Sequence, residues 1–229
     1  MSRPSLKPSP RIIFSKLSTD YFSNPRHDVF DILEGHYETV LDVGCGSGAF
    51  GSLLKNRGKA IRVVGIDASE SALAEASLCL DMAILHDLSN GLPKLDEKFD
   101  LISLNDVLEH LITPEKVLIT ARGMLKKSGI IVCSLPNIRN HKVLRKLICA
   151  GDWTYTKEGI LDETHLRFYT FKSAENMLLK CGYSVISSYG SGRSKVPLAL
   201  RLMSYIFCQR RSELRYQQFI FKARSRVNA

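Results

Sequence analysis

The segment LDVGCGSGAFG, residues 41–51, constrains the fold more than any other stretch of the chain. A short apolar run ends at Asp42 and Val43, three glycines follow at alternate positions, and a helical pattern takes over. Glycine reaches backbone conformations closed to other residues and lets a ligand approach the main chain closely. Nineteen residues after Gly48, a second apolar run, IRVVGID, ends in an acid, Asp67. Strand, glycine turn, helix, second strand and terminal acid together make a unit that seats a nucleoside. The acid accepts hydrogen bonds from the two ribose hydroxyls.

The rest of the chain keeps the same rhythm. Short apolar runs at 39–43, 61–67, 81–85, 99–104 and 129–136 alternate with helical patterns near 47–57, 69–78 and 113–126. Alternation of this kind predicts a parallel sheet with helices on both faces. Ser69 is placed to cap the second of these helices, and Thr113-Pro114 to open the third. After Pro136 the rhythm breaks. Residues 137–168 read as an irregular polar and aromatic insertion, and long connections in compact domains are often functional. Thr170 then caps a helix that Gly182 ends, and two late strands are expected at 183–189 and 215–224.

Two nucleoside cofactors compete for the glycine turn. A dinucleotide site reads GxGxxG and sets a pyrophosphate on a helix N-terminus. This turn reads GxGxG and follows Asp42, whose carboxylate would repel a pyrophosphate. It suits the cationic amino-acid end of S-adenosylmethionine.

With those residues in place, the chain resembles the class I S-adenosylmethionine-dependent methyltransferases from about Tyr21 to Lys222. LDVGCGSG is similar to that family's first motif, which implies cofactor contacts at Asp42, Gly44, Cys45, Gly46 and Gly48. VVGIDAS matches the second, with Asp67 on the ribose and Ala68 beside it. LHDL places Asp87 and Leu88 at the adenine, and FDLISLNDVLEHL places Asn105 beside the methionine part. The resemblance implies an α/β, Rossmann-like, seven-stranded, mostly parallel sheet with helices on both faces. Its last two strands would form an antiparallel hairpin. The upstream segment NPRHDVFDIL resembles ubiquinone-biosynthesis O-methyltransferases, which implies that Arg26 meets the cofactor carboxylate. The insertion, GDWTYTKEGILDETHLRFYT, resembles methyltransferases associated with bacterial cell-surface polysaccharides. That likeness implies an acceptor pocket in which Trp153, Tyr155, Phe168 and Tyr169 offer flat faces and Arg167 a donor for phosphate or carboxylate.

Methyl transfer to oxygen needs a positioned nucleophile and a group to take its proton. Asp106, Glu109 and His110 would share one face if their segment is helical. Asp162, His165 and Arg167 lie in the insertion. The catalytic candidates are therefore His110, His165, Asp106 and Arg167. A metal cluster of Asp106, Glu109, His110 and His165 is the weaker alternative, so the expectation is a metal-free site. Purely structural roles for these residues are the remaining option.

Charge and composition close the reading. The chain has 229 residues, 45% of them apolar and 24% charged, which fits one globular domain. No apolar run reaches the ~20 residues of a membrane helix, and the N-terminus has no signal-peptide core. The six cysteines form no CxxC pair, so free thiols are expected. The formal net charge of +9 is uneven. Residues 1–18 read as a flexible basic arm and 19–229 as the catalytic domain, with a basic, apolar connection at 191–214. The apolar stretch 196–211 suggests either a helix packed over the acceptor pocket or a peripheral contact with the inner membrane face. A cytoplasmic enzyme acting on a small molecule or glycan is the leading expectation. An RNA ribose methyltransferase is the second, weakened because no RNA-binding module accompanies the domain. A catalytically silent cofactor-binding subunit is the third.

Overall fold

The computed structural model describes residues 24–198 and 211–226. The arm at 1–18 and most of the apolar stretch at 196–211, including Arg201, Arg210 and Cys208, lie outside the described residues.

Seven strands form one sheet in the order β3-β2-β1-β4-β5-β7-β6. They are β1 (Tyr37–Val43), β2 (Ala60–Asp67), β3 (Met82–Leu85), β4 (Phe99–Asn105), β5 (Leu125–Pro136), β6 (Tyr183–Ser191) and β7 (Gln218–Ser225). The first five pair in parallel. β7 slots between β5 and β6 and runs antiparallel to both. The expected class I arrangement is what the chain adopts.

Six α-helices accompany the sheet in the described residues: α1 (His27–Ile32), α2 (Ala49–Asn56), α3 (Glu70–Ala76), α4 (Pro114–Met124), α5 (His141–Ala150) and α6 (Phe171–Lys180). Alternation along the strands divides the core in two, because successive side chains point to opposite faces. Val40, Val63 and Leu101 pack with Val29, Leu54 and Leu73 of α1–α3. Leu41, Val64 and Ile102 pack with Leu118 and Leu178 of α4 and α6. Burial on both faces explains why these strands read as continuous apolar runs. Local signals set the helix ends. Ser69 accepts from the Ala72 N–H at the start of α3, and Thr170 with Ser173 makes a reciprocal cap on α6. Pro114 opens α4 as expected, although Thr113 makes no side-chain cap.

The insertion is more regular than its sequence suggests. Residues 141–150 form α5, capped by the Asn140 side chain on the Lys142 N–H and closed by Gly151 in the left-handed region. Leu144, Leu147 and Ile148 recur at helical spacing, a pattern masked by the interleaved Lys and Arg residues. Among the described residues no helix is long and apolar enough to cross a membrane.

Candidate active site

The carboxyl ends of β1, β2 and β4 open into one cavity of about 420 Å³. Ligands of open α/β sheets bind at this edge. The glycine turn forms its floor. Gly44 donates to the Ile66 carbonyl at 2.7 Å and has φ 72°. A Cβ there would stand 2.4 Å from Val107 Cγ2, so the turn tolerates only glycine. Gly48, also expected to touch cofactor, is not in the cavity wall. It is the N-cap of α2 and sits against Cys79 and Ala76.

Asp67 ends β2 and already holds the turn. Oδ2 accepts from the Gly46 N–H and Oδ1 from the Ser69 N–H, both at 2.8 Å. Burial raises its pKa, and those backbone donors oppose the rise. Asp42 is fully buried behind it. Its Oδ1 accepts from Ser103 Oγ at 2.5 Å, while Oδ2 has no hydrogen-bond partner. Burial pushes the Asp42 carboxyl up to about 7; the Asp67 charge adds to this and the Ser103 bond opposes it. Cys45, Gly46, Ala68, Asp87 and Leu88 line the same cavity. Asp87 caps the short turn Leu88–Asn90 through the Ser89 N–H. Beyond the turn, the Asn105 amide is buried with both polar atoms unpartnered. Orphaned buried polar atoms are costly unless a ligand completes them. Asp42 and Asn105 both line the cavity beside the glycine floor, and the unpartnered Asn105 amide fits the amino-acid part of S-adenosylmethionine.

Arg26 departs from its expected role. It is 5% exposed, and all five guanidinium N–H groups are committed. They go to Asp28 twice, to Asp106 Oδ2 at 2.5 Å, to Ser134 Oγ at 2.7 Å and to Gln218 Oε1 at 3.2 Å. Burial pulls its pKa down, but the Asp106 and Asp28 carboxylates outweigh this and raise it. Arg26 lines the cavity, yet a cofactor carboxylate would have to displace one of these partners. Asp106 in turn accepts from Ser134 and Gln218 through Oδ1. Arg26 and Asp106 are the two non-glycine residues with positive φ among those described, 49° and 55°. Such conformations persist only where surrounding bonds hold them.

That φ breaks the helix expected to align Asp106, Glu109 and His110. Only Leu108–His110 is helical, as a single tight turn. Asp106 therefore belongs to the Arg26 network. Glu109, His110 and His165 instead bring donor atoms within 4.8 Å of one another. Of the expected four-residue cluster, three converge. Glu109 is 0% exposed and neither carboxyl oxygen has a hydrogen-bond partner. Burial, with the Asp106 charge adding, raises its pKa well above the carboxylate range. The imidazoles face each other edge-on, centroids 4.8 Å apart. His165 Nδ1 donates to the Ile160 carbonyl at 3.0 Å, because a carbonyl only accepts. The neutral ring then carries its lone pair on Nε2, 3.9 Å from Glu109 Oε1. Thr164 gives its hydroxyl proton to Asp162 at 2.6 Å, so it accepts from His110 Nδ1 at 3.1 Å. His110 is orientated in the same way, and burial, with His165 beside it, lowers its pKa to about 4.

The insertion supplies this half of the cavity through Glu158, Gly159, Ile160, Asp162 and His165. The Glu109 carbonyl anchors it by accepting from the Leu166 and Arg167 N–H groups. Two expectations about the insertion are corrected. Arg167 is not in the cavity wall; its guanidinium donates to the Leu111 and Ile112 carbonyls. Trp153 and Tyr155 each meet Phe168 outside the cavity, Trp153 edge-on with centroids 5.2 Å apart and Tyr155 tilted at 6.1 Å. Tyr169 is buried in the core.

A methyltransferase-domain family model matches residues 15–188. The chain belongs to that methyltransferase family. Its cofactor is S-adenosylmethionine. The chain is 29% identical over 158 residues to a ubiquinone biosynthesis O-methyltransferase of Dinoroseobacter shibae, covering 66% of this chain and 62% of that protein. It is 28% identical to an uncharacterized protein of Methanocaldococcus jannaschii, covering 73% and 69%. It thus spans about three fifths of the first curated relative. The fold matches an S-adenosylmethionine-dependent methyltransferase of Archaeoglobus fulgidus with TM-score 0.63, 19% identity and coverage of 93% and 98%.

Proposed function

We propose that this methyltransferase-family chain transfers the methyl group of S-adenosylmethionine to a hydroxyl of a small molecule or sugar. The observation that carries this reading is the continuity of one cavity. It runs from the glycine floor past Asn105 to the two imidazoles, so a methyl donor and a proton acceptor face one space. The likeness to ubiquinone biosynthesis O-methyltransferases supports oxygen as the acceptor atom.

When bound, S-adenosylmethionine would supply an electrophilic methyl group, which would pass to the acceptor oxygen as its bond to sulfur breaks, leaving S-adenosylhomocysteine. The acceptor's proton passes to His165 Nε2, whose Nδ1–H is held by the Ile160 carbonyl. His110 shapes the same surface. General-base catalysis of this kind contributes about 10²–10⁴-fold. Labelled cofactor incubated with phenols, sugars, nucleotide sugars and RNA tests the reading. His165→Ala should lose about 10²-fold or more in turnover while binding cofactor as the parent does. Full turnover in His165→Ala and in His110→Ala would remove the imidazole base. Activity lost in chelator and restored by Mn²⁺ would give the Glu109–His110–His165 cluster to a cation instead.

A further inference from the structure

The helix α5 leaves the protein's core as it runs. Val143, Leu144, Leu147 and Ile148 make one apolar stripe along it, and Lys142, Arg145 and Lys146 take the other side. The first turn of the stripe is packed, with Val143 buried. The last turn is not: Leu147 is 41% exposed and Ile148 73%. Past Gly151, Trp153 and Tyr155 add two partly exposed rings that rest on Phe168. The charge here is nearly all of one sign. From Arg139 to Lys157 the chain carries five lysines and arginines and one acid, Asp152. That acid is spent on Lys146 at 2.8 Å. Lys142 and Arg145 are exposed and make no ion pair with a described residue. Arg193 and Lys195, also exposed, flank Ser194, whose hydroxyl lies 3.4 Å from His141 Nδ1 at the start of α5.

We infer that α5, with Trp153 and Tyr155, is a docking face for an anionic lipid bilayer. The inference stands apart from the proposed reaction and does not need it. A helix with an apolar stripe beside basic side chains lies in the plane of a bilayer surface, the stripe among the acyl chains and the charges at the headgroups. Trp and Tyr favour that boundary, where a ring is apolar at one end and wet at the other. Each Lys or Arg near an anionic surface strengthens the attachment, and salt weakens it. Charge alone would suit a nucleic acid equally well. Leu147 and Ile148 decide for the bilayer, because a phosphate backbone offers them no apolar cover. The same segment runs on to Glu158, Gly159 and Ile160, which line the cavity, so the docking face and the active site share one stretch of chain.

Trp153 is the only tryptophan of the chain, so its emission reports on this face alone. The full chain is titrated at low salt with vesicles of phosphatidylcholine, and with vesicles of phosphatidylcholine and phosphatidylglycerol in equal parts. Binding to the anionic vesicles is expected to be at least about tenfold tighter and to fall as salt is added. Trp153 emission should shift to the blue on binding and be quenched by brominated acyl chains. Lys142→Gln combined with Arg145→Gln should weaken binding about tenfold or more, and Ile148→Asp should abolish the blue shift. If a variant does not fold, quenching of Trp153 in the parent decides the matter. Vesicle binding that leaves Trp153 emission unmoved would assign the contact to another surface and overturn the inference. So would an absence of vesicle binding at low salt, whether the chain then binds single-stranded RNA, self-associates through this face or does neither.

Discussion

Asp42 and Asp67 stand at the tips of neighbouring strands, and their burial makes the cofactor half sensitive to pH. An unfolded aspartate titrates near 3.9. In the fold Asp42 titrates at about 7. Between those values the folded chain holds a proton that the unfolded chain has released. Asp42 therefore lowers stability as pH rises through the window from about 4 to about 7. If Asp42 meets the cofactor's cationic end as the resemblance implies, that end acts the other way, because it favours the ionised form. S-adenosylmethionine affinity should rise between about pH 6 and pH 8, by up to about tenfold. Calorimetry on Asp42→Asn should show that rise gone. Asp67→Ala would remove the expected ribose acceptor and also free the Gly46 and Ser69 N–H groups. Affinity should fall at least about 100-fold, about 3 kcal/mol for two charge-assisted bonds, and an unchanged dissociation constant would sink the ribose assignment. Spacing alone marks Asp67, since a strand-end acid beyond a glycine turn has few other uses. Nothing in the sequence marks Ser134 or Gln218. They reach Arg26 only through the antiparallel pairing that sets Pro136 opposite Gln218.

Among the elements, the parallel strands and their helices were legible because their periodicities are strong and their caps are local. The insertion was not, because its side chains are placed by tertiary contacts. Arg167 follows His165 by two residues, yet one imidazole enters the cavity while the guanidinium braces the Leu108–His110 turn from behind. Asp106 lost its helical alignment to a single positive φ, which favours no sequence signal beyond the tolerance of Asp for that region. Since Arg167 holds the Leu111 and Ile112 carbonyls, Arg167→Ala should loosen the turn that carries Glu109 and His110. The expected result is a several-fold rise in acceptor KM with cofactor affinity unchanged. Arg167→Lys should restore little, because lysine lacks the forked donors. An Arg167→Ala enzyme with unaltered kinetics would show that the brace is dispensable.

Across the whole molecule, the Arg26 guanidinium joins Asp28 in the adjoining α1 to residues from three distant places: Asp106 after β4, Ser134 in β5 and Gln218 at the head of β7. Asp28 also accepts from Ser191 at the end of β6. Removing one member of a buried charged network strands the others. Asp28 and Asp106 keep about a third of their side chains in water, with 32% and 33% exposure, so the cost falls at the lower end of the usual range. Arg26→Met should destabilise the fold by about 3 kcal/mol and lower Tm by about 6–12 °C. A melting temperature within a degree of the parent would show that the network is not stabilising. Such a loss would also loosen the cavity wall that Arg26 and Asp106 line, so cofactor and acceptor affinity should fall together.

The position of β7 has a consequence for how the enzyme comes into being. During synthesis each of β1 to β5 emerges to find, or soon acquire, a parallel neighbour, and the glycine floor can be assembled from the first 105 residues. β6 emerges with no strand to join, because its only sheet neighbour is β7. Gln218, the first residue of β7, also delivers the last bonds to Arg26 and Asp106. A ribosome-bound chain stopped before that residue lacks the Gln218 bonds to Arg26 and Asp106. The order of synthesis thus predicts that the glycine floor forms first and that this part of the cavity wall waits for β7.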